Sequence, residues 1–152
     1  MKPISLFFSV FFTILIAGLY SFKPFNEGVV LVKDVLKETN EFRKSNGLKN
    51  LVMSEELNAI AQKHSIDMAS GKSKFGHDGF DNRNVFAKKS IPSMMSFAEN
   101  VALDARSAQG VLDLWKNSDG HRRNLLGSYQ YIGIGIAKDK RGRIFYTQVF
   151  AG

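Results

Sequence analysis

Two histidines and one glutamate are the residues of this chain with the clearest capacity for chemistry. They are His77, Glu99 and His121, at successive intervals of 22 residues. His77 and His121 are flanked by glycine and by polar residues typical of loops, and Glu99 precedes Asn100 at the entry to an apolar step, so none of the three has the pattern of a core residue. Two imidazoles and one carboxylate can hold a divalent cation such as Zn²⁺ and leave positions open for water or substrate. These intervals form no local ligand motif, and on spacing alone two surface histidines and a capping glutamate are the better interpretation.

The N-terminus has the pattern of an export signal. Lys2 precedes an almost uncharged apolar run over residues 4–22, and Lys23-Pro24 follows it. This is the layout of a secretory signal peptide. An uncleaved anchor is the alternative, because about 18 apolar residues begin to span a bilayer. We therefore expect residues 1–24 to be a signal peptide or anchor, and residues 25–152 to be one domain that works outside the cell or in the cell envelope.

Composition limits how this domain holds together and what it meets. The chain has no cysteine, so an exported domain must be stabilised by packing alone, for which its length suffices. Its formal net charge is +7, and the part after residue 24 keeps 19 basic and 14 acidic residues. Such a surplus favours anionic surroundings such as cell-wall polymers, phospholipid headgroups or acidic glycans. The basic residues are scattered, so we expect no nucleic-acid partner.

Helical spacing of apolar residues predicts three helices, over residues 28–45, 54–71 and 105–117. Ser54 has the residue type of an N-terminal cap for the second helix. His64 lies on the apolar face of that helix, and Trp115 lies on the inward face of the third helix. We interpret both as packed side chains and not as ligands.

The remaining segments predict one long loop and one hairpin. Residues 72–98 show no sustained apolar period and contain several turn formers, which predicts a loop with a functional role. In the last segment, apolar and small residues alternate. Ile132, Ile134 and Ile136 form one face, and Gly133, Gly135 and Ala137 form a bare face. This predicts a β-hairpin with a charged tip at 138–143, against which another backbone or a helix packs closely. Helices on an antiparallel sheet make one α+β domain.

Five segments in order resemble the CAP (SCP-like) superfamily: LNAIAQKHSIDMAS, FGHDGF, AENVA, WKNSDGHRRNLL and YIGIGIAKDKRGRIFYTQVFA. The resemblance covers about residues 30–151 and is best to the bacterial, cysteine-free, secreted branch. It implies an α-β-α sandwich, with a small antiparallel sheet between helices and a central cleft. In many members a metal-binding tetrad of two histidines and two glutamates lines that cleft.

Residue by residue, the resemblance assigns the two histidines to His77 and His121 and one glutamate to Glu99. The second glutamate falls on Ser118, which has no carboxylate. We therefore expect Zn²⁺ or another divalent metal to bind weakly, if it is a cofactor. Ser118 also permits a serine-type reading in which it is the nucleophile, His121 its base and Glu99 the orienting group. Nothing like a nucleophile elbow surrounds Ser118.

Two functions from different classes remain. The first is a secreted binding module of the cell envelope or exterior, whose cleft takes a small molecule, a lipid, a glycan or a protein segment. The second is a hydrolase or peptidase of the cell envelope, either metal-assisted or serine-type. The metal-binding and catalytic readings both require His77, Glu99 and His121 to face one cleft, about 3 to 6 Å apart. Membrane contact is expected only through residues 1–24, if they are not cleaved.

Overall fold

A four-stranded sheet between two layers of helices organises the part of the chain that the computed structural model describes. This part is residues 26–152, with side chains from residue 31 onward. The expected signal peptide or anchor lies outside the described residues and stays a prediction. Within residues 26–152, no helix combines the length and the apolar character needed to cross a bilayer.

The chain forms five helices and four strands within the described residues. The helices are α1 (Asn26–Ser45), α2 (Glu55–Ala69), α3 (Phe80–Ser90), α4 (Ala108–Lys116) and α5 (Asp119–Leu125). The strands are β1 (Val52–Met53), β2 (Phe97–Leu103), β3 (Tyr131–Lys138) and β4 (Ile144–Ala151). The sheet order is β1-β3-β4-β2, in which β1 runs parallel to β3 and the other pairs are antiparallel. The expected α+β sandwich is confirmed.

The glycine face of β3 lies directly against α2. A Cβ atom on Gly133 would come within 2.1 Å of the backbone of Leu57, and one on Gly135 within 2.2 Å of the backbone of Ala61. These distances are far below van der Waals contact, so only glycine permits this approach. The predicted close packing of a helix on the bare face is confirmed. It brings α2 and everything attached to it onto one side of the sheet.

The opposite face of the sheet packs against α1 and α4. Ile132, Ile134, Tyr146 and Phe150 belong to one core cluster there, together with Trp115. Trp115 is fully buried, and its Nε1 donates a hydrogen bond of 3.1 Å to the carbonyl oxygen of Val101. Its interpretation as a core residue is confirmed. Because side chains alternate along a strand, Glu99 and Val101 of β2 face the α2 side and Asn100 faces away from it.

Two helices contradict the prediction from sequence. Residues 72–98 were expected to form a loop, but α3 occupies residues 80–90 within it, after a left-handed cap at Gly79 with a φ of 79°. The surroundings of His121 have the residue types of a loop, but α5 begins at Asp119 and includes His121. Each helix buries only one residue, Ala87 or Leu125. Neither helix therefore has apolar residues at helical spacing, so its sequence does not indicate a helix.

Candidate functional site

The centre of the candidate site is a buried carboxylate on an edge strand. Glu99 lies in β2, which is an edge strand of the sheet. Its side chain has no exposed surface. It points to the side of the sheet that α2 covers. A carboxylate removed from water is costly unless charges or hydrogen bonds replace its hydration. The neighbours of Glu99 therefore decide what this site can do.

Arg83 of α3 is the charged partner of Glu99. Its Nε lies 2.5 Å from Glu99 Oε2, and its Nη2 lies 2.7 Å from Glu99 Oε1. This is the two-pronged geometry that a guanidinium and a carboxylate form best. Arg83 was not among the predicted site residues. No signal in the sequence indicates it, because the burial of Glu99, which creates the need for a cation, follows only from the fold.

His77 is the second partner of Glu99. Its Nδ1 lies 2.9 Å from Glu99 Oε1. A carboxylate oxygen accepts hydrogen bonds, so Nδ1 is the donor and Nε2 is the nitrogen that remains for other contacts. About half of the His77 side chain is exposed. The loop that carries it is held by Arg83, whose Nη1 donates 2.8 Å to the carbonyl oxygen of Asp78.

His64 of α2 borders the cluster on the side of that helix. It is 3% exposed, and its Nε2 donates a hydrogen bond of 2.8 Å to the carbonyl oxygen of Gly76. Its interpretation as a packed, hydrogen-bonded histidine is confirmed. The same nitrogen lies 3.9 Å from Glu99 Oε1, so His64 also borders the candidate site. Burial is the main reason that the pKa of His64 lies below its ordinary value, and the nearby charge of Arg83 acts in the same direction.

His121 approaches from the other side of the edge strand. The ring centres of His77 and His121 are 6.4 Å apart. His121 and Asn124 both lie in α5. The Nδ2 of Asn124 donates a hydrogen bond of 3.1 Å to the carbonyl oxygen of Glu99, which attaches α5 to β2. Asn100 in turn donates 3.2 Å to the carbonyl oxygen of His121. Burial lowers the pKa of His121, and the neighbouring His77 lowers it further.

The three predicted site residues therefore lie in one region, though not as equals. The carboxylate oxygens of Glu99 accept one hydrogen bond from His77 and two from Arg83. His121 stands beside His77. Ser118 is the N-cap residue of α5 and makes no capping hydrogen bond through its side chain. The geometry thus pairs Glu99 with His77 as the histidine that it orients, whereas the serine-type reading had assigned that role to His121.

The fit of this cluster to a metal ion depends on Glu99. Within the part of the chain that the structure describes, no group of three or more histidine, aspartate or glutamate side chains has the spacing of a metal site. Both oxygens of Glu99 are already engaged by the guanidinium of Arg83. A cation placed on that carboxylate would meet a like charge, so Glu99 does not fit as a ligand while Arg83 holds it. Metal binding stays a prediction that rests on His77 and His121.

A groove runs beside the cluster, between α2 and α3. Its volume is about 720 Å³. Ala59, Ile60 and Phe86 give it apolar walls, and Phe86 is 57% exposed. His64 and Arg83 also line it, so the groove and the cluster share these two residues. His77, Glu99 and His121 are not part of its lining. The groove therefore adjoins the chemistry predicted from sequence without containing it.

Known proteins resemble this chain over most of its length. The profile of the cysteine-rich secretory protein family, CAP, matches residues 36–150. The uncharacterized protein YkwD of Bacillus subtilis is 34% identical over 127 residues, which are 79% of this chain and 46% of YkwD. The uncharacterized membrane protein YlbC of the same organism is 29% identical over 121 residues, 78% of this chain and 33% of YlbC. The chain thus spans less than half the length of these curated relatives.

Solved structures share the same fold. An extracellular protein of Bacillus anthracis that contains an SCP domain superposes with a TM-score of 0.70 at 26% identity, over 82% of this chain and 41% of that protein. An outer surface protein of Borrelia burgdorferi superposes with a TM-score of 0.66 at 21% identity, over 83% of this chain and 92% of that protein. The second likeness is one of fold alone.

Proposed function

The chain belongs to the cysteine-rich secretory protein (CAP) family, and from that premise we propose that it is a binding module of the cell envelope or exterior, with its ligand in the α2–α3 groove. The groove itself is the observation that carries this proposal. Its volume of about 720 Å³ is in the range of small-molecule sites, which are concave and mostly apolar with a few fixed polar groups. His64 and Arg83 are polar groups of this kind, since both are held by hydrogen bonds.

The walls of the groove favour a ligand with an apolar part. Phe86 leaves 57% of its surface exposed although it lies in a helix next to a concave wall. Together with Ala59 and Ile60, it gives the groove a continuous apolar surface that a ligand can cover. Lys89 lies above the Phe86 ring, with its Nζ 5.5 Å from the ring centre, and it also lines the groove. We infer that the ligand joins an apolar body to a polar or anionic group.

Location outside the cell is part of the proposal. The N-terminal sequence pattern supports export. The B. anthracis neighbour is described as an extracellular protein, and the Borrelia neighbour as an outer surface protein. Fractionation of cells that express the chain with and without residues 1–24 tests this point. We expect the full chain in the medium or envelope, and retention of the truncated chain in the cytoplasm.

A hydrolase is the second candidate, and one observation favours it. The hydrogen bond from His77 Nδ1 to Glu99 leaves His77 Nε2 as a proton acceptor, which is how a carboxylate prepares a general base. Glu99→Gln retains the size and one acceptor of the side chain but removes its charge. Peptidase or peptidoglycan-hydrolase activity that disappears in this variant, with thermal stability unchanged, would place the hydrolase first. We expect no such activity.

The binding proposal is tested with a fluorescent probe of matching chemistry. Anilinonaphthalene sulfonate combines aromatic rings with one anionic group, as the groove requires. We expect the purified domain to bind it, and Phe86→Ser to weaken binding by about tenfold or more. Val85→Ser is the matched control, because Val85 neighbours Phe86 in α3, is 54% exposed and does not line the groove. Equal losses in both variants would contradict a site in the groove.

Hydrogen exchange locates the bound probe independently. Most of the α3 side of the groove comes from residues 73–90, which is within the segment that the sequence analysis expected to carry function. A ligand in the groove slows amide exchange where it orders the backbone. We expect the bound probe to protect residues 73–90 and the facing turns of α2. Protection confined to α1 and α4 would place the ligand on the opposite side of the sheet.

A further inference from the structure

We propose that Arg83 is the built-in cation of this centre: its guanidinium balances the charge of Glu99 and excludes a metal ion from that carboxylate. Arg83 is in this sense a positioning residue, because it acts through Glu99. The inference concerns the charge balance of the cluster, and it does not depend on the ligand proposed for the groove. It rests on three observations.

The first observation is that Glu99 requires a permanent counter-charge. Its side chain is fully buried on the covered face of the sheet. The other close neighbours of the carboxylate are His64 and His77, and His64 gives its Nε2 hydrogen to the carbonyl oxygen of Gly76. A histidine carries a charge only when it is protonated, whereas a guanidinium stays charged at every ordinary pH. Arg83 is therefore the group that compensates the buried anion.

The second observation is that Arg83 is itself fixed in place. Its side chain is 11% exposed. Besides the two bonds to Glu99, its Nη1 donates 2.8 Å to the carbonyl oxygen of Asp78, and its Nη2 lies 3.4 Å from the carbonyl oxygen of His77. Because these hydrogen bonds hold the planar guanidinium at several of its N–H groups, Arg83 has lost its rotational freedom before any ligand binds. Displacement of the guanidinium would break all of these bonds together.

The third observation is that a metal ion and Arg83 compete for the same atoms. Oε1 of Glu99 accepts from His77 Nδ1 and Arg83 Nη2, and Oε2 accepts from Arg83 Nε. Three of the roughly four acceptor positions of a carboxylate are thus occupied. A metal bound through the remaining position would lie close to a fixed positive charge. The metal would then have only His77 and His121 as ligands, and two imidazoles bind zinc weakly.

Zinc titration of three proteins tests this inference. We compare the wild type, Arg83→Gln and Lys88→Gln by calorimetry with ZnCl₂ near neutral pH. Arg83→Gln removes the competing charge and releases Glu99, so we expect zinc affinity to rise by about tenfold or more over the wild type. Lys88→Gln removes one positive charge from an exposed position of the same helix that does not line the groove, and we expect it to stay within about twofold of the wild type.

Two further variants assign the effect to this cluster. Adding His77→Ala to Arg83→Gln should abolish the gain, because the released carboxylate then lacks its partner ligand. Arg83→Lys keeps the charge without the two-pronged geometry, and it should bind zinc as weakly as the wild type. If Arg83→Gln does not fold, Arg83→Met removes the same charge and takes its place in both comparisons. Tight zinc binding by the wild type or by Arg83→Lys overturns the inference, and so does a folded Arg83→Gln protein that shows no gain.

Discussion

At the scale of single residues, the site is an arrangement of one buried anion and the groups that accommodate it. Glu99 is bound by Arg83 through two hydrogen bonds and by His77 through one. His64 lies on the α2 side of them, and burial lowers its pKa, which favours its neutral form. This division of roles matters for function, because the charge of Glu99 is balanced inside the protein while His77 keeps its Nε2 for outside partners.

The lowered pKa of His64 predicts how stability depends on pH. In the unfolded chain the histidine has its ordinary pKa of 6.5, and in the folded protein the pKa is lower. Between these two values the unfolded state binds more protons, so the free energy of unfolding falls as the pH decreases below 6.5. The slope is limited to about 1.4 kcal/mol per pH unit for one histidine. Above pH 6.5 the contribution is complete.

His64→Gln tests this prediction, because the glutamine amide can still donate to the Gly76 carbonyl but does not titrate. Urea unfolding at a series of pH values between neutral and mildly acidic gives the slope for each protein. We expect a shallower slope in the variant, with part of it remaining because the pKa of His121 is lowered in the same direction. Identical slopes in variant and wild type would contradict the role assigned to His64.

At the scale of secondary-structure elements, short helices place the site against the edge of the sheet. Edge strands expose unpaired backbone groups, and here side chains of α4 and α5 bind two of the carbonyl groups of β2. Trp115 donates to the carbonyl oxygen of Val101, and Asn124 donates to that of Glu99. On the covered face, α2 is held against β3 by Gly133 and Gly135. The site is therefore only as stable as the attachment of α2, α3 and α5.

Arg43 is predicted to anchor α5. It is 2% exposed, and its Nη1 donates to the carbonyl oxygens of Leu125 and Gly127 at the end of that helix. Arg43→Met fills similar space but leaves these carbonyls without a donor, so we expect a loss of about 2 to 4 kcal/mol in the free energy of unfolding. Lys44→Met, at the exposed next position, should change it by less than about 0.5 kcal/mol. Chemical denaturation measures both, and similar effects would show that burial of Arg43 is unimportant.

Gly135 is predicted to be indispensable for the packing of α2 on the sheet. A methyl group there would lie 2.2 Å from backbone atoms of α2, so the helix must move away. We expect Gly135→Ala to cost about 2 kcal/mol or more in the free energy of unfolding. Gly120→Ala is the control, because its Cβ would meet nothing nearer than 3.9 Å, and alanine stabilises a helix by about 0.5 to 1 kcal/mol. Tolerance of alanine at Gly135 would refute the close packing.

At the scale of the whole molecule, one sheet with helices on both faces must hold without disulfides. The core is divided by the sheet into the cluster around Trp115 and the clusters around Leu57 and Met68. β4 contributes to each of them, through Phe150, Val149 and Phe145. Because one strand links all the clusters, we expect both faces to unfold together.

Residues 25–152 alone are therefore predicted to unfold in one transition. Far-UV circular dichroism and the fluorescence of Trp115 should give coincident curves. Arg43→Met and Gly135→Ala act on opposite faces of the sheet, so each should shift the same transition, and their effects should add within about 0.5 kcal/mol in the double variant. Two separable transitions, or a double variant that loses only one face, would contradict a single cooperative unit.

The sequence by itself determined the features that local patterns encode. The spans of α1 and α2, the hairpin of β3 and β4, and its glycine face follow from periodicities of about 3.6 and 2. The burial of His64 and Trp115 follows from the same patterns. The family motifs placed His77, Glu99 and His121 in a common region, and the export signal stays a prediction because its residues lie outside those that the structure describes.

Only the tertiary structure decided what the site is made of. α3 and α5 bury a single residue each, so no apolar period indicates them, and tertiary contacts with α2, α4 and β2 stabilise them instead. α3 supplies Arg83, and the pairing of Arg83 with Glu99 joins positions 16 residues apart on different elements. Such a partner cannot be inferred from spacing, because the requirement for it arises only when folding removes the carboxylate from water.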